Sequence, residues 1–156
     1  MKSYGKILSV FLSLILLFSG CGKYNTNLRG KIKSYVDNNA NHDIVLELSL
    51  FTDFEWDKVV IYKYPTTSDE IYQMVGIEYE PSDLSSGWFF VLDDQIVYEE
   101  TFETNFESLP LFFVYPYKDI NAKEKCNVLD KKNSILICEV LESDNQIGYS
   151  LYPQNT

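Results

Sequence analysis

Trp88-Phe89-Phe90-Val91-Leu92-Asp93-Asp94-Gln95-Ile96-Val97-Tyr98 is the stretch on which the fold turns. Two runs of aromatic and β-branched residues flank a pair of aspartates, which is the pattern of a strand, a tight turn and a returning strand. The reading is a hairpin over 87–104. Outward from it, the same chemistry recurs. Over 44–51, Leu46, Leu48 and Leu50 alternate with Glu47 and Ser49, as in a half-buried strand. Val59-Val60-Ile61-Tyr62 forms another, stopped by Pro65. Leu111-Phe112-Phe113-Val114-Tyr115 has strand length, and 134–141 and 147–152 add two more. Two segments carry helical spacing instead. Leu28, Ile32, Tyr35 and Val36 fall at i, i+4, i+7 and i+8 on a helix running to about Asn38, with Gly30 weakening it. Thr67-Ser68-Asp69-Glu70 reads as a capping box ahead of Ile71, Met74 and Val75, and Gly76 suits the position after the last turn. The expected fold is a sheet-dominated α+β single domain over 28–156, mostly antiparallel, with two short helices.

Composition agrees with one compact core. Of 156 residues 46% are apolar, while Gly and Pro number only 7 and 5, which excludes disordered and collagen-like classes. The formal net charge of −10 argues against nucleic acid as a partner, because such binding depends on Lys and Arg neutralising phosphates.

The amino terminus reads as an address. Lys2 and Lys6 precede an apolar run from Ile7 to Phe18. Twelve residues cover only about 18 Å as a helix, short of a ~30 Å hydrocarbon core. A secretory signal peptide over 1–20 is expected, not a transmembrane helix. Phe18-Ser19-Gly20-Cys21 resembles the lipobox of bacterial lipoproteins, with Phe18 where that family usually carries Leu. The resemblance implies that Cys21 is acylated, with palmitate among its acyl chains, and becomes the first residue of the mature chain. Residues 21–27 are then a lipidated tether, and the lipid bilayer is the partner held through Cys21. Gly22, with no Asp after the cysteine, implies sorting to the outer membrane where a cell has one. The expected place is the cell membrane or outer membrane, facing away from the cytoplasm.

Charge is unevenly spread along the chain. Lys23, Arg29, Lys31 and Lys33 lie in a stretch without acids, whereas positions 43–107 hold sixteen acids against Lys58 and Lys63. The basic stretch suits anionic headgroups, and the acidic body should stand away from them and suit a protein or cationic partner.

Beyond Cys21 the remaining cysteines are Cys126 and Cys138. A turn centred on Lys131-Lys132-Asn133 would set them directly opposite each other across a hairpin, within disulfide range. Unlinked core thiols or half of a metal site are the alternatives. The metal reading lacks ligands, because His42 is the only histidine and no CxxC spacing exists. A structural disulfide between Cys126 and Cys138 is expected, and no metal.

No phosphate loop, nucleophile elbow or zinc-protease motif is present. His42 lies in a polar connector, Asn39-Ala40-Asn41-His42-Asp43. Asp53, Glu55 and Asp57 alternate with Phe54 and Trp56, which would put three carboxylates on one side of an extended segment. Carboxylates beside aromatics are the composition of a sugar site. The competing reading is a solvent-facing strand end with Phe54 and Trp56 turned into the core. Neither a catalytic residue nor a cofactor is expected.

Phe54-Glu55-Trp56-Asp57-Lys58, the strand after it, and Pro65-Thr66-Thr67-Ser68-Asp69-Glu70 resemble an element of small uncharacterised bacterial lipoproteins. Those chains share a lipobox, an F-x-W-D-K strand start, a P-x-T-S-x-E helix cap and a later Phe/Val-rich hairpin. The resemblance covers about 44–100 and implies a strand feeding a capped helix, with no catalytic residue to transfer. The leading expectation is a non-catalytic, membrane-anchored envelope lipoprotein with an acidic recognition surface. The alternatives are a carbohydrate-binding or carbohydrate-hydrolysing lipoprotein using Asp53, Glu55 or Asp57, and an inhibitor or immunity-type protein.

Overall fold

The computed structural model describes residues 28–39, 44–103, 112–143 and 146–155. Its elements are α1 (Leu28–Asn39), β1 (Ile44–Glu47), β2 (Lys58–Tyr62), α2 (Ser68–Val75), β3 (Ser85–Leu92), β4 (Gln95–Glu103), β5 (Phe112–Val114), β6 (Cys126–Asp130), β7 (Ile135–Ser143) and β8 (Gln146–Pro153). Short 3-10 turns occupy Leu48–Leu50 and Lys131–Asn133. The strands form two four-stranded sheets, ordered β1-β7-β8-β5 and β4-β3-β2-β6. Every pairing is antiparallel except β5 with β8. The fold is sheet-dominated α+β, as the alternation and strand-length runs require.

The hairpin is the longest antiparallel pairing of its sheet. β3 and β4 join through a two-residue turn, Asp93-Asp94, in which both residues have positive φ (49° and 61°). This backbone twist matches that of the flanking strands. Phe90 opposes Tyr98 while Val91 opposes Ile96, so Val97 is an extra residue that bulges the strand. The bulge changes which side each residue of β4 faces. Ile96 packs on the outer side of this sheet, whereas Tyr98 and Phe102 belong to the core between the sheets.

β3 is buried from Ser85 to Val91, and its run Trp88 to Leu92 is apolar without interruption, because both its faces are covered. Trp88 and Phe90 join Val59 and Ile61 in the shared core, against Leu46, Leu136, Cys138, Leu151 and Phe112 of the other sheet. Phe89 and Val91 face outward with Val60, Tyr62 and Cys126, beneath Ile71 and Ile77. Gly87 is obligatory there. A Cβ at this position would lie 2.5 Å from the Glu100 carbonyl oxygen and 2.8 Å from the Tyr62 hydroxyl.

α2 seals that outer face. Thr67 Oγ1 accepts from the Glu70 N–H at 3.2 Å, and the Glu70 carboxylate accepts from the Thr67 N–H at 2.8 Å, completing the capping box. Gly76 ends the helix with φ 72°, its N–H reaching the Tyr72 carbonyl at 2.8 Å. α1 inserts Leu28, Ile32 and Val36 into the shared core, the i, i+4, i+8 stripe of its sequence, while Tyr35 stays largely exposed.

Two expectations fail. The strand expected over 44–51 stops at Glu47, and the chain tightens into a 3-10 turn held by the Leu48 N–H on the Ser134 carbonyl at 3.0 Å. Leu48 is buried and Leu50 is 76% exposed, so the alternation does not continue. The disulfide between Cys126 and Cys138 is also absent. β6 pairs with β2, setting Cys126 opposite Tyr62, whereas β7 pairs with β1 and β8, setting Cys138 between Ile44 and Leu151. The two strands enter different sheets. Lys131–Asn133 is a corner between them rather than a hairpin turn, fixed by the Lys131 N–H on the Asp57 carbonyl (2.8 Å) and the Ser134 hydroxyl on the Lys131 carbonyl (2.7 Å). Cys126 belongs to the outer cluster and Cys138 to the shared core, and both thiols are buried and not linked to each other. Burial pushes the Cys126 thiol up to about 12.

Candidate functional site

The carboxylates of the 53–57 stretch do not converge. Phe54 stacks on Tyr98 with ring centroids 4.8 Å apart, and Trp56 meets Phe90 edge-on at 5.0 Å while its Nε1–H donates to Thr52 Oγ1 at 2.9 Å. Both aromatics therefore serve the core. Asp53 pairs with Lys31 of α1 at 3.0 Å, and Glu55 pairs with Lys131 of the corner at 3.2 Å. The lysines come from separate elements, so the two carboxylates are drawn to different places. Asp57 acts through its backbone, its N–H donating to the Val91 carbonyl and its carbonyl accepting from the Lys131 N–H, both at 2.8 Å. One oxygen of its side chain, Oδ1, is buried without a hydrogen-bond partner.

A different carboxylate holds the more unusual position. The first N–H groups of α1 have no partner within the helix. The Leu28 N–H donates to the Tyr98 hydroxyl at 3.2 Å, and the Arg29 N–H donates to the Glu100 carboxylate. Glu100 also accepts from Trp88 Nε1–H at 3.1 Å. Burial pushes the Glu100 carboxyl above the usual carboxylate range and the Tyr98 hydroxyl above its own, even though the N–H donors favour the charged carboxylate. The sequence does contain a signal for this group: Tyr98, Glu100 and Phe102 share one side of β4. Read locally, the Glu99-Glu100 pair suggests only solvent. The chemistry is that of a helix cap supplied by another element.

The acidic character gathers around α2. Ser68, Asp69, Tyr72, Glu78, Tyr79 and Glu80 line an open groove of about 520 Å³. Its floor is rigid: Tyr79 stacks on Phe89 at 4.4 Å, and its hydroxyl lies 3.1 Å from that of Tyr62. Burial keeps both tyrosines neutral well above their ordinary range. Exposed Asp69, Glu78 and Glu80 around an aromatic floor can attract a cationic group by charge and ring face together. Glu70 is already engaged, by its cap and by Lys125 at 3.0 Å. Among the described residues no group of three or more His, Cys, Asp or Glu side chains is placed to hold a metal.

The leader 1–20, Cys21, the tether 21–27 and His42 lie outside the described residues. Among the described residues no helix is long and apolar enough to cross a membrane. Comparison with protein-family models, curated proteins and solved structures gives no match.

Proposed function

We propose that this chain is a non-catalytic lipoprotein of the cell envelope, anchored by acyl chains on Cys21 and presenting the acidic groove beside α2 to a cationic protein partner. The observation that carries the reading is the order of the sequence: a charged start, an apolar run too short to span a bilayer, then Ser19-Gly20-Cys21 and a polar stretch before the folded domain. One acyl chain holds a protein marginally and two or three hold it stably, each buried methylene adding about 0.8 kcal/mol. The groove supports the recognition half of the reading, because its acids are exposed while its aromatic floor is fixed. The separation of Asp53 and Glu55 onto different lysines favours this role over a carboxylate-pair hydrolase.

Radiolabelled palmitate should enter the wild-type protein and be lost in Cys21→Ala; unchanged labelling of the variant refutes the anchor. Cross-linking in intact cells should then recover a basic protein with the wild type and lose it with the combined Asp69→Asn, Glu78→Gln, Glu80→Gln variant. Equal recovery by both would remove the groove from the proposal.

A further inference from the structure

We infer that α1 and the corner at Leu50 and Phe51 form a face that docks on the anionic bilayer surface, fixing the orientation of the domain. The inference rests on the reading that Cys21 is acylated. Only Gly22 to Asn27 separate that cysteine from the start of α1, and six residues reach no further than about 20 Å when fully extended. The start of α1 must therefore stay near the headgroups, whichever way the rest of the domain points.

Charge then selects the face. α1 carries Arg29, Lys31 and Lys33 against Asp37, whereas α2 carries Asp69 and Glu70 and no basic residue. Positions 44–103 hold fourteen acids and two lysines. An anionic surface attracts α1 and repels the body behind it.

Apolar surface coincides with that charge. Leu50 is 76% exposed beside Phe51, and Phe51 meets the exposed ring of Tyr35 edge-on at 5.3 Å. An open groove of about 680 Å³ runs along α1, with Lys31, Ser34, Tyr35 and Phe51 among its walls. The corner is tied to the helix, because Lys31 Nζ donates to the Phe51 carbonyl at 3.3 Å and pairs with Asp53 at 3.0 Å. Helix and corner thus form one surface, with an exposed leucine, two aromatic rings and Lys31 beside them, while Lys33 lies over the Tyr149 ring and pairs with Asp37 at 2.8 Å, and that surface suits the boundary between headgroups and acyl chains. Its other side is locked into the shared core by Leu28, Ile32 and Val36. Docking of α1 consequently orients the whole domain. The sheet β4-β3-β2-β6 stands between α1 and α2, so the acidic groove faces away from the lipid.

The test uses the full acylated protein in vesicles of phosphatidylcholine and phosphatidylglycerol that carry a headgroup nitroxide. A bimane fluorophore is placed at Leu50→Cys or, for comparison, at exposed Met74→Cys on α2. The native Cys126 and Cys138 thiols are buried and escape labelling. Quenching at position 50 should exceed that at 74 several-fold, and should fall when Lys33→Glu is added or phosphatidylglycerol is omitted. Equal quenching at both positions in a protein that floats with the vesicles overturns the docked face and leaves the anchor standing. Failure to float overturns both. Loss of the difference on dilution of the protein in the bilayer would assign the corner to a second copy instead, and would also overturn the inference.

Discussion

The two helices are held in opposite ways. α2 is specified by its own ends, with Thr67 and Glu70 capping each other and Gly76 closing the last turn, yet Ile71 is its one fully buried residue. α1 has no acid in its first turn, and its starting N–H groups are satisfied by Tyr98 and Glu100 of β4, but it buries Leu28, Ile32 and Val36 between the sheets. Local chemistry makes α2, while tertiary packing makes α1. A short helix can rest on either support, and the support decides what unfolds when it is removed.

The largest effect should come from breaking the packed helix. Ile32→Ala removes a fully buried side chain from the shared core and should cost about 2–5 kcal/mol, read as a lower midpoint in one cooperative urea transition. The caps should separate the helices next. Thr67→Ala should cost about 1 kcal/mol and raise hydrogen exchange chiefly within α2, whereas Tyr98→Phe, of similar cost, should loosen the start of α1 together with β4.

Glu100→Gln probes the support of α1 through pH. Its folded carboxyl titrates above its ordinary value of 4.5, so burial favours the protonated form. Below that ordinary value both folded and unfolded chains are protonated at this group, and its full contribution to stability is present. As pH rises through the folded value, that contribution is lost. Wild type should therefore gain stability relative to Glu100→Gln as pH falls from neutrality toward 4.5, with the two within about 1 kcal/mol of each other at neutral pH. Parallel urea titrations across that range check it, and a flat difference would show that burial does not raise this carboxyl. The smallest effect belongs to Glu55→Gln. Its pairing with Lys131 is solvent-exposed, and the loss should stay within about 0.5 kcal/mol in the same denaturation assay.

The same division explains what was legible in the sequence. The hairpin turn at Asp93-Asp94 and both ends of α2 are encoded within a few residues, and they stand where the pattern put them. Phe54 and Trp56 likewise follow the alternation into the core. The corner at Lys131–Asn133 was not legible, because a short polar connection between two strands reads alike whether it returns the chain to the same sheet or passes it to another. Only distant residues decide: Tyr62 claims Cys126 while Ile44 and Leu151 claim Cys138, and the expected disulfide disappears with the hairpin. The role of Glu100 was hidden for the same reason. Besides Tyr98 on its own strand, its partners lie on α1 and on Trp88, neither adjacent in sequence.

The strand order also sets a timetable. All of β4-β3-β2-β6 is drawn from one continuous span, Lys58 to Asp130, so this half can assemble as soon as that span is free. β1 finds its partner only when Ile44 meets Cys138, and a loop of that length closes slowly. A chain emerging from its amino end must therefore carry Leu46 unpaired, and the inner side of β3 covered by α1 at most, until its last strands arrive, which makes that interval the one in which a chaperone would have work to do.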